Sequence, residues 1–108
     1  MADKSEKKSL AEQAAESIAA EENNALQATL RRRDSVVIGR GTECDVVIRD
    51  GKASRRHCQL TRKEGGAFLL EDLGSKNGTY VNGARITEPV VLKQNETFKI
   101  GETIFYLT

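Results

Sequence analysis

The chain has 108 residues, the usual size of a single domain, so two independent hydrophobic cores are not expected. Hydrophobic residues make up 38% of the chain and charged residues 31%, which provides enough apolar material for one core and argues against wholesale disorder. The formal net charge of +1 is too small to indicate nucleic-acid or membrane binding by itself.

The first 24 residues differ in composition from the rest of the chain. They contain three Lys and six acidic residues, which leaves 14 basic and 10 acidic residues in the remainder. Residues 9–22 are rich in helix-forming residues, and Leu10, Ala14 and Ile18 recur at intervals of four. A short helix with so narrow an apolar stripe is marginal in water. We therefore predict a helical or flexible N-terminal arm, either loosely docked or partner-binding, with a hinge at residues 23–24.

From residue 25 onward, short runs of alternating or β-branched residues recur at intervals of about 8 to 12 residues, separated by turn residues. This pattern predicts an all-β domain over residues 25–108, a β-sandwich of about 9 to 11 short strands. The predicted strands cover residues 26–31, 35–39, 46–48, 57–62, 67–73, 79–81, 90–92, 97–100 and 103–107. The pairs Gly65-Gly66, Asn77-Gly78 and Asn82-Gly83 supply positive φ angles to turns, and the last pair fits a tight hairpin.

Polar residues gather in four of the predicted loops, at residues 39–41, 52–57, 74–79 and 82–83. These segments contain five cations and several neutral donors, and no carboxylate. Because loops at one end of a sandwich converge, such a set would form an anion-binding surface. A phosphate suits it well, since guanidinium forks and hydroxyl or amide donors can satisfy phosphate oxygens. An ordinary solvated loop surface is the alternative interpretation of the same composition.

Four ordered motifs carry a more specific resemblance. The chain reads VVIGRGTECDVVI, then SRRH, then LEDLGSKNGTYVNG, and an Ile-Gly pair precedes the last strand. From about residue 26 to residue 107, about three quarters of its length, the chain resembles the forkhead-associated (FHA) domain, a phosphothreonine-recognising β-sandwich. By contrast, a GxG at residues 39–41 alone would mean little, because a strand rather than a helix follows it, unlike in a dinucleotide site.

The resemblance implies which residues contact a phosphopeptide. Arg40 matches the arginine that contacts the phosphate, in a charge-assisted pair with a near-dianion. Ser54 matches the serine whose hydroxyl bonds a phosphate oxygen, and Asn77 matches the asparagine whose amide holds the ligand main chain. Arg55 matches a position that often adds a phosphate or backbone contact. Lys76 departs from the Thr or Ser that is common at its position, and would reach the phosphate as a point charge or cover the rim.

Other motif residues have supporting roles by the same resemblance. Lys52 lies in the loop that in some relatives helps to choose the side chain three places after the phosphothreonine, which would favour an acidic residue there. Gly39 permits the turn that aims the phosphate-contacting arginine, and His57 braces the binding loops through hydrogen bonds. Asn82 and Gly83 provide turn geometry, and Asn82 can help to order the neighbouring loop.

Other kinds of chemistry are poorly supported. Ser54, His57 and Asp72 supply the residue types of a hydrolase, but the chain has no GxSxG motif, and the Ser and His share one short segment. Cys44 and Cys58, with a single His, can form neither a zinc site nor a disulfide framework, so no metal or cofactor is expected. Three Phe, two Tyr and no Trp provide little surface for stacking nucleic-acid bases.

The sequence therefore predicts a non-enzymatic, phosphothreonine-dependent protein-binding module that acts as an adaptor in Ser/Thr kinase signalling. Its partner would be a phosphothreonine-containing protein, either a Ser/Thr kinase or its substrate. The alternative is an FHA-fold scaffold that binds without phosphate in a larger assembly, a role that requires none of Arg40, Ser54 and Asn77.

Two further expectations concern location and regulation. No apolar run approaches the roughly 18 residues of a spanning helix, and no secretion signal is present, so we expect a cytoplasmic location without membrane insertion. Self-inhibition through a phosphorylated arm is not expected, because Thr29, the first threonine of the chain, lies in a predicted strand.

Overall fold

The computed structural model describes residues 20–108, which form one α-helix and two β-sheets. The helix, α1, spans Ala20–Leu30. The strands of this part of the chain are β1 (Ser35–Gly39), β2 (Val46–Val47), β3 (Cys58–Arg62), β4 (Phe68–Asp72), β5 (Thr79–Val81), β6 (Ala84–Arg85), β7 (Val90–Leu92), β8 (Thr97–Ile100) and β9 (Thr103–Tyr106). Across residues 20–108, no helix has the length and apolarity needed to cross a bilayer.

The strands form a two-layer sandwich, which confirms the predicted fold class. One sheet has five strands in the order β2-β1-β3-β4-β7, and the other has four in the order β6-β5-β8-β9. All pairs are antiparallel except β1 with β2, which run parallel. The loops that follow β1, β2 and β4 lie at one end, because Ile38 pairs with both Val46 and Cys58, and Cys58 pairs with Asp72.

The core lies between the two sheets and follows the alternation of the strands. In β1 Val36 and Ile38 are buried and Ser35 and Val37 are half-buried, while in β8 Phe98 and Ile100 are buried and Lys99 is exposed. The central aromatic contact stacks Phe98 of β8 on Phe105 of β9, with ring centroids 5.2 Å apart. The pair joins neighbouring strands of the four-stranded sheet and contributes two fully buried rings to the core between the sheets.

The first predicted strand, over residues 26–31, is wrong, because residues 26–30 form the second half of α1 and residue 31 lies in the turn after it. Leu26 and Leu30 are both buried, and their spacing of four places them on one face of a helix that packs against β1, β2 and β9. The apolar residues that suggested a strand therefore serve helix packing. The short strand β6 had no counterpart among the predicted strands, although the hairpin that it forms with β5 was expected and is confirmed.

Two predictions about the segment before β1 are also wrong. Residues 23–24 are not a hinge, since they lie inside α1 and Asn23 is only 1% exposed. Thr29 is helical rather than extended, and its hydroxyl donates to the carbonyl of Ala25. Of the helix predicted over residues 9–22, residues 20–22 are helical, and the others lie outside the described residues. The division of the chain at residue 25 stays a prediction.

Helix α1 covers the open edge of β9 with side-chain amides. The amide nitrogen of Asn23 donates to the carbonyl of Ile104 at 2.7 Å, and its oxygen accepts the backbone N–H of Tyr106 at 3.0 Å. The amide nitrogen of Gln27 donates to the carbonyl of Tyr106 at 2.8 Å. An edge strand otherwise leaves such groups unpaired, so these amides substitute for a neighbouring strand.

Replacing Asn23 with alanine should lower the free energy of unfolding by about 1 to 3 kcal/mol, because two backbone groups of β9 lose their partners. Asn24→Ala is the matched control, since Asn24 is the exposed neighbour in the same helix and gains the same helix propensity. Chemical denaturation of both variants measures the difference. Equal stability of the two variants would show that the amide contacts of Asn23 do not stabilise the fold.

Candidate functional site

The loop after β1 is joined to the segment before β3 by main-chain contacts. The backbone N–H of Arg40 donates to the carbonyl of Ser54, and the N–H of Gly41 donates to the carbonyl of Arg55, both at 2.9 Å. A Cβ atom at Gly39 would lie 2.3 Å from the carbonyl oxygen of Arg55, so a side chain cannot fit there. Glycine at residue 39 is therefore required by a close approach of two backbones.

The Arg40 side chain is held from one side and leaves its guanidinium exposed. Its Nε donates to the carbonyl of Ala53 at 2.7 Å. The terminal nitrogens of the guanidinium still have donors to offer, in the planar fork that matches a phosphate. A cavity of about 240 Å³ opens beside it, lined by Arg40, Gly41, Thr42 and Arg55.

His57 lies beneath these loops and connects them. Its side chain is fully buried, and its Nδ1 accepts the backbone N–H of Ser54 at 3.0 Å. Its Nε2 lies 2.8 Å from the carbonyl of Gly78. A ring nitrogen that accepts carries no proton, and a carbonyl can only accept, so the contacts assign the neutral tautomer with the proton on Nε2. His57 thereby links the 50–57 segment to the 74–78 loop.

Two side chains near the surface connect the same loops. The hydroxyl oxygen of Ser54 accepts the backbone N–H of Lys76 at 3.0 Å. The amide nitrogen of Asn77 donates to the carbonyl of Lys52 at 2.9 Å. A hydroxyl that accepts in this way can still donate its proton, and the amide oxygen of Asn77 can accept from a ligand.

The 74–78 loop is built on Asp72, the last residue of β4. One carboxylate oxygen accepts the hydroxyls of Ser75 and Thr79 at 2.7 Å each. The other accepts the backbone N–H groups of Gly74 at 3.1 Å and Ser75 at 2.9 Å. Burial acts to raise the pKa of Asp72, but these hydrogen bonds outweigh it and hold the pKa below its usual value. Asp72 is therefore an ionised acceptor that fixes the loop.

Arg85 of β6 adds a further contact to this loop. Its guanidinium approaches the carbonyls of Ser75 and Lys76 at 3.3 and 3.4 Å. A Cβ atom at Gly78 would lie 2.6 Å from the Nε atom of Arg85, so the Arg85 side chain occupies the space that a side chain at residue 78 would need. The β5–β6 hairpin, through Arg85, therefore supports the loop from the second sheet.

Asn82 and Gly83 form the turn of that hairpin. Their φ angles are 53° and 81°, and Val81 pairs with Ala84 across them. Positive φ at both central residues is the geometry of a type I′ turn, which suits Asn-Gly. The structure thus places this pair at the turn, next to the strand that carries the supporting arginine.

Two of the basic residues in these loops lie close to carboxylates from outside the loops. The ammonium of Lys52 lies 3.6 Å from a carboxylate oxygen of Glu102, in the turn between β8 and β9. The guanidinium of Arg55 lies 3.7 Å from the carboxylate of Glu43. The loop segments themselves contain no acidic residue. The folded surface is nevertheless less basic than their composition suggests, because residues outside these segments contribute two carboxylates.

Both cysteines are free and buried. Burial raises the pKa of the Cys58 thiol and, together with the nearby carboxylate of Glu43, that of Cys44. A thiol with a raised pKa is a poor nucleophile. Among residues 20–108, no cluster of three or more His, Cys, Asp or Glu side chains could hold a metal ion.

The sequence interpretation missed the carboxylates that organise the site. Asp50 accepts the N–H of Lys52, two residues on, and Asp72 accepts the N–H of Gly74. Each Asp follows an apolar run after one charged residue and precedes a Gly within two positions, a pattern that indicates an Asx-turn, so this signal was available. Glu102 offered no such signal, because its contact with Lys52 spans 50 residues of chain.

Comparisons with known proteins identify the family of this chain. The FHA domain family model matches residues 36–101. FhaB of Mycolicibacterium smegmatis, an FHA domain-containing protein, is 39% identical over 72 residues, which cover 67% of this chain and 46% of FhaB. The chain thus spans about half the length of FhaB from this organism and from Mycobacterium tuberculosis.

Solved structures show the same fold. A structure from work on phosphothreonine-dependent FHA domain interactions superposes with a TM-score of 0.60 at 36% identity, covering 68% of this chain and 74% of the other. Mycobacterium tuberculosis EmbR, in complex with a low-affinity phosphopeptide, superposes with a TM-score of 0.63 at 28% identity, covering 69% of this chain and 20% of EmbR. With the family match over more than half of its length, the chain belongs to the FHA domain family.

Proposed function

We propose that this chain binds segments of other proteins that contain phosphothreonine. The observation that carries the proposal is the convergence of Arg40, Ser54 and Asn77 on one surface. Arg40 and Ser54 are joined through the Arg40 N–H, and Asn77 is joined to the same segment through the carbonyl of Lys52. FHA relatives that share this fold include one in complex with a phosphopeptide.

Each proposed contact follows from the chemistry of its residue. The guanidinium of Arg40 forms charge-assisted hydrogen bonds with phosphate oxygens, and the Ser54 hydroxyl donates to another. The amide of Asn77 holds the ligand main chain. Arg55 and Lys76 are exposed cations at the rim, where they increase the attraction for a dianionic phosphate.

The proposed role is that of a binding module rather than an enzyme. It would serve as an adaptor in Ser/Thr kinase signalling, with a kinase or its phosphorylated substrate as the partner, and a cytoplasmic location places it beside such kinases. The alternative, a scaffold that binds without phosphate, would need no particular arrangement of these three side chains. Their joint fixation by hydrogen bonds supports the phosphate-dependent role.

Titration with three versions of one degenerate peptide pool tests this function. The pools differ only in carrying threonine, phosphothreonine or phosphoserine at a fixed position. We expect measurable affinity for the phosphothreonine pool, about 5- to 30-fold weaker affinity for phosphoserine, and none for threonine, because the threonine methyl group adds burial worth about 1 to 2 kcal/mol. Equal affinity for the threonine and phosphothreonine pools, or no affinity for either, would contradict the proposal and favour a phosphate-independent scaffold.

A further inference from the structure

The backbone around Lys52 is held from two sides. The carboxylate of Asp50 accepts the N–H of Lys52 at 2.9 Å, and Asn77 donates to the Lys52 carbonyl at 2.9 Å. Lys52 thus extends from a fixed main chain, two residues before Ser54, and its ammonium lies beside the turn between β8 and β9. Its side chain is 63% exposed, so a bound peptide can reach it.

The same Asp50 fixes the residue that faces Lys52. Its second carboxylate oxygen accepts the N–H of Glu102 at 2.7 Å and the hydroxyl of Thr103 at 2.9 Å. Burial acts to raise the pKa of Asp50, but the hydrogen bonds from Lys52 and Glu102 outweigh it and hold the pKa below its usual value. One ionised carboxylate therefore holds both backbones of the Lys52–Glu102 pair.

The Glu102 carboxylate lies 3.6 Å from the Lys52 ammonium and is 71% exposed. Glu102 is therefore an internal counterion of Lys52, the cation expected to select acidic peptide residues, and its backbone is held in place by Asp50. An acidic side chain that approaches Lys52 meets a cation already paired and a like charge beside it.

We propose that Glu102 is a specificity-determining residue that weakens the preference of the Lys52 subsite for acidic side chains and so broadens the set of phosphothreonine segments that the chain accepts. This inference rests on the proposed function. The carboxylate competes with an acidic ligand residue for Lys52, while a neutral residue leaves the pair undisturbed. The effect is confined to one position of the ligand, because the pair is one exposed ion pair and not part of the phosphate contact.

The test uses phosphothreonine peptides in which one flanking position at a time is Asp or Asn. The measured quantity is the ratio of the dissociation constant of the Asn peptide to that of the Asp peptide. In Glu102→Gln this ratio should rise by about two- to fivefold at one position, the range expected for a single exposed charge pair. The backbone N–H of residue 102 remains, so its bond to Asp50 is kept.

Two further variants separate this effect from a general change of charge. Glu64→Gln removes the same charge from the β3–β4 turn, at the other end of the sheet, and should leave every ratio unchanged. In a Lys52→Gln background, Glu102→Gln should raise the ratio by less, because no cation remains to be released and only the like-charge repulsion is removed.

The outcomes distinguish this inference from the function on which it rests. An unchanged ratio in Glu102→Gln, or an equal rise in Glu64→Gln or in the Lys52→Gln background, overturns the role of Glu102 even though phosphopeptides bind. Absence of binding of every phosphopeptide to the unaltered chain overturns the proposed function itself.

Discussion

Replacing Arg40 with alanine should weaken binding of a phosphothreonine peptide by about 100-fold or more. In the proposed complex the side chain would contribute at least two hydrogen bonds to a doubly charged group, and each such bond to a charged partner is worth about 1.5 to 3 kcal/mol. The contact of its Nε with the carbonyl of Ala53 fixes the guanidinium before the ligand arrives, so little conformational entropy is lost on binding. Isothermal titration with one phosphopeptide measures the change.

Two variants show that the loss comes from geometry as well as charge. Arg56→Ala removes the same charge from an exposed position of the neighbouring segment and should change the affinity by about threefold at most. Arg40→Lys keeps the charge but lacks both the Nε donor and the planar fork, so most of the loss should remain. If Arg56→Ala weakened binding as much as Arg40→Ala, the surface would be acting only as a diffuse positive field.

His57→Ala should lower the free energy of unfolding by about 3 to 5 kcal/mol and also impair binding by the folded molecules. The substitution leaves a cavity at a fully buried position and removes the partners of the Ser54 N–H and the Gly78 carbonyl. These two groups belong to the two loops that carry the proposed contacts. The loops would therefore lose their common support, and the Ser54 hydroxyl its fixed position.

Leu70→Ala separates loss of support from loss of stability. Leu70 is equally buried in β4, away from the loops, and its truncation should cost about 2 to 5 kcal/mol. Denaturant unfolding gives the stability of both variants, and affinity is measured at low temperature and corrected for the folded fraction. We expect weaker affinity in His57→Ala and unchanged affinity in Leu70→Ala. If both variants kept full affinity, His57 would stabilise the core without organising the site.

Much of the strand arrangement could be predicted because short β-branched runs between turn residues leave few alternatives. The predicted strands at residues 79–81, 90–92 and 97–100 coincide with β5, β7 and β8. The segment 26–31 misled because it is short and mixed, so apolar residues two and four apart fit a strand as well as a helix. Its helical state depends on packing against β1, β2 and β9 and on amide contacts with β9, which local sequence does not reveal.

Part of the candidate site could be predicted from the sequence, because its residues lie in short motifs of fixed order. The ordered motifs contain five residues whose roles the family resemblance implies: Gly39, Arg40, Ser54, His57 and Asn77. Their contacts explain how those roles could be performed, since Gly39 accommodates a neighbouring backbone and His57 links two loops.

By itself, the sequence determined the fold class, the family and the identity of the loop residues, because turn chemistry and motif order are local properties. Only the tertiary structure decided that Asp50 anchors both Lys52 and Glu102, that Arg85 supports the 74–78 loop, and that Asn23 covers β9. The contacts of Asp50 with Glu102 and of Asn23 with Ile104 span 52 and 81 residues, and a charge or an amide gains its role from whichever neighbour folding places within about 3 to 4 Å.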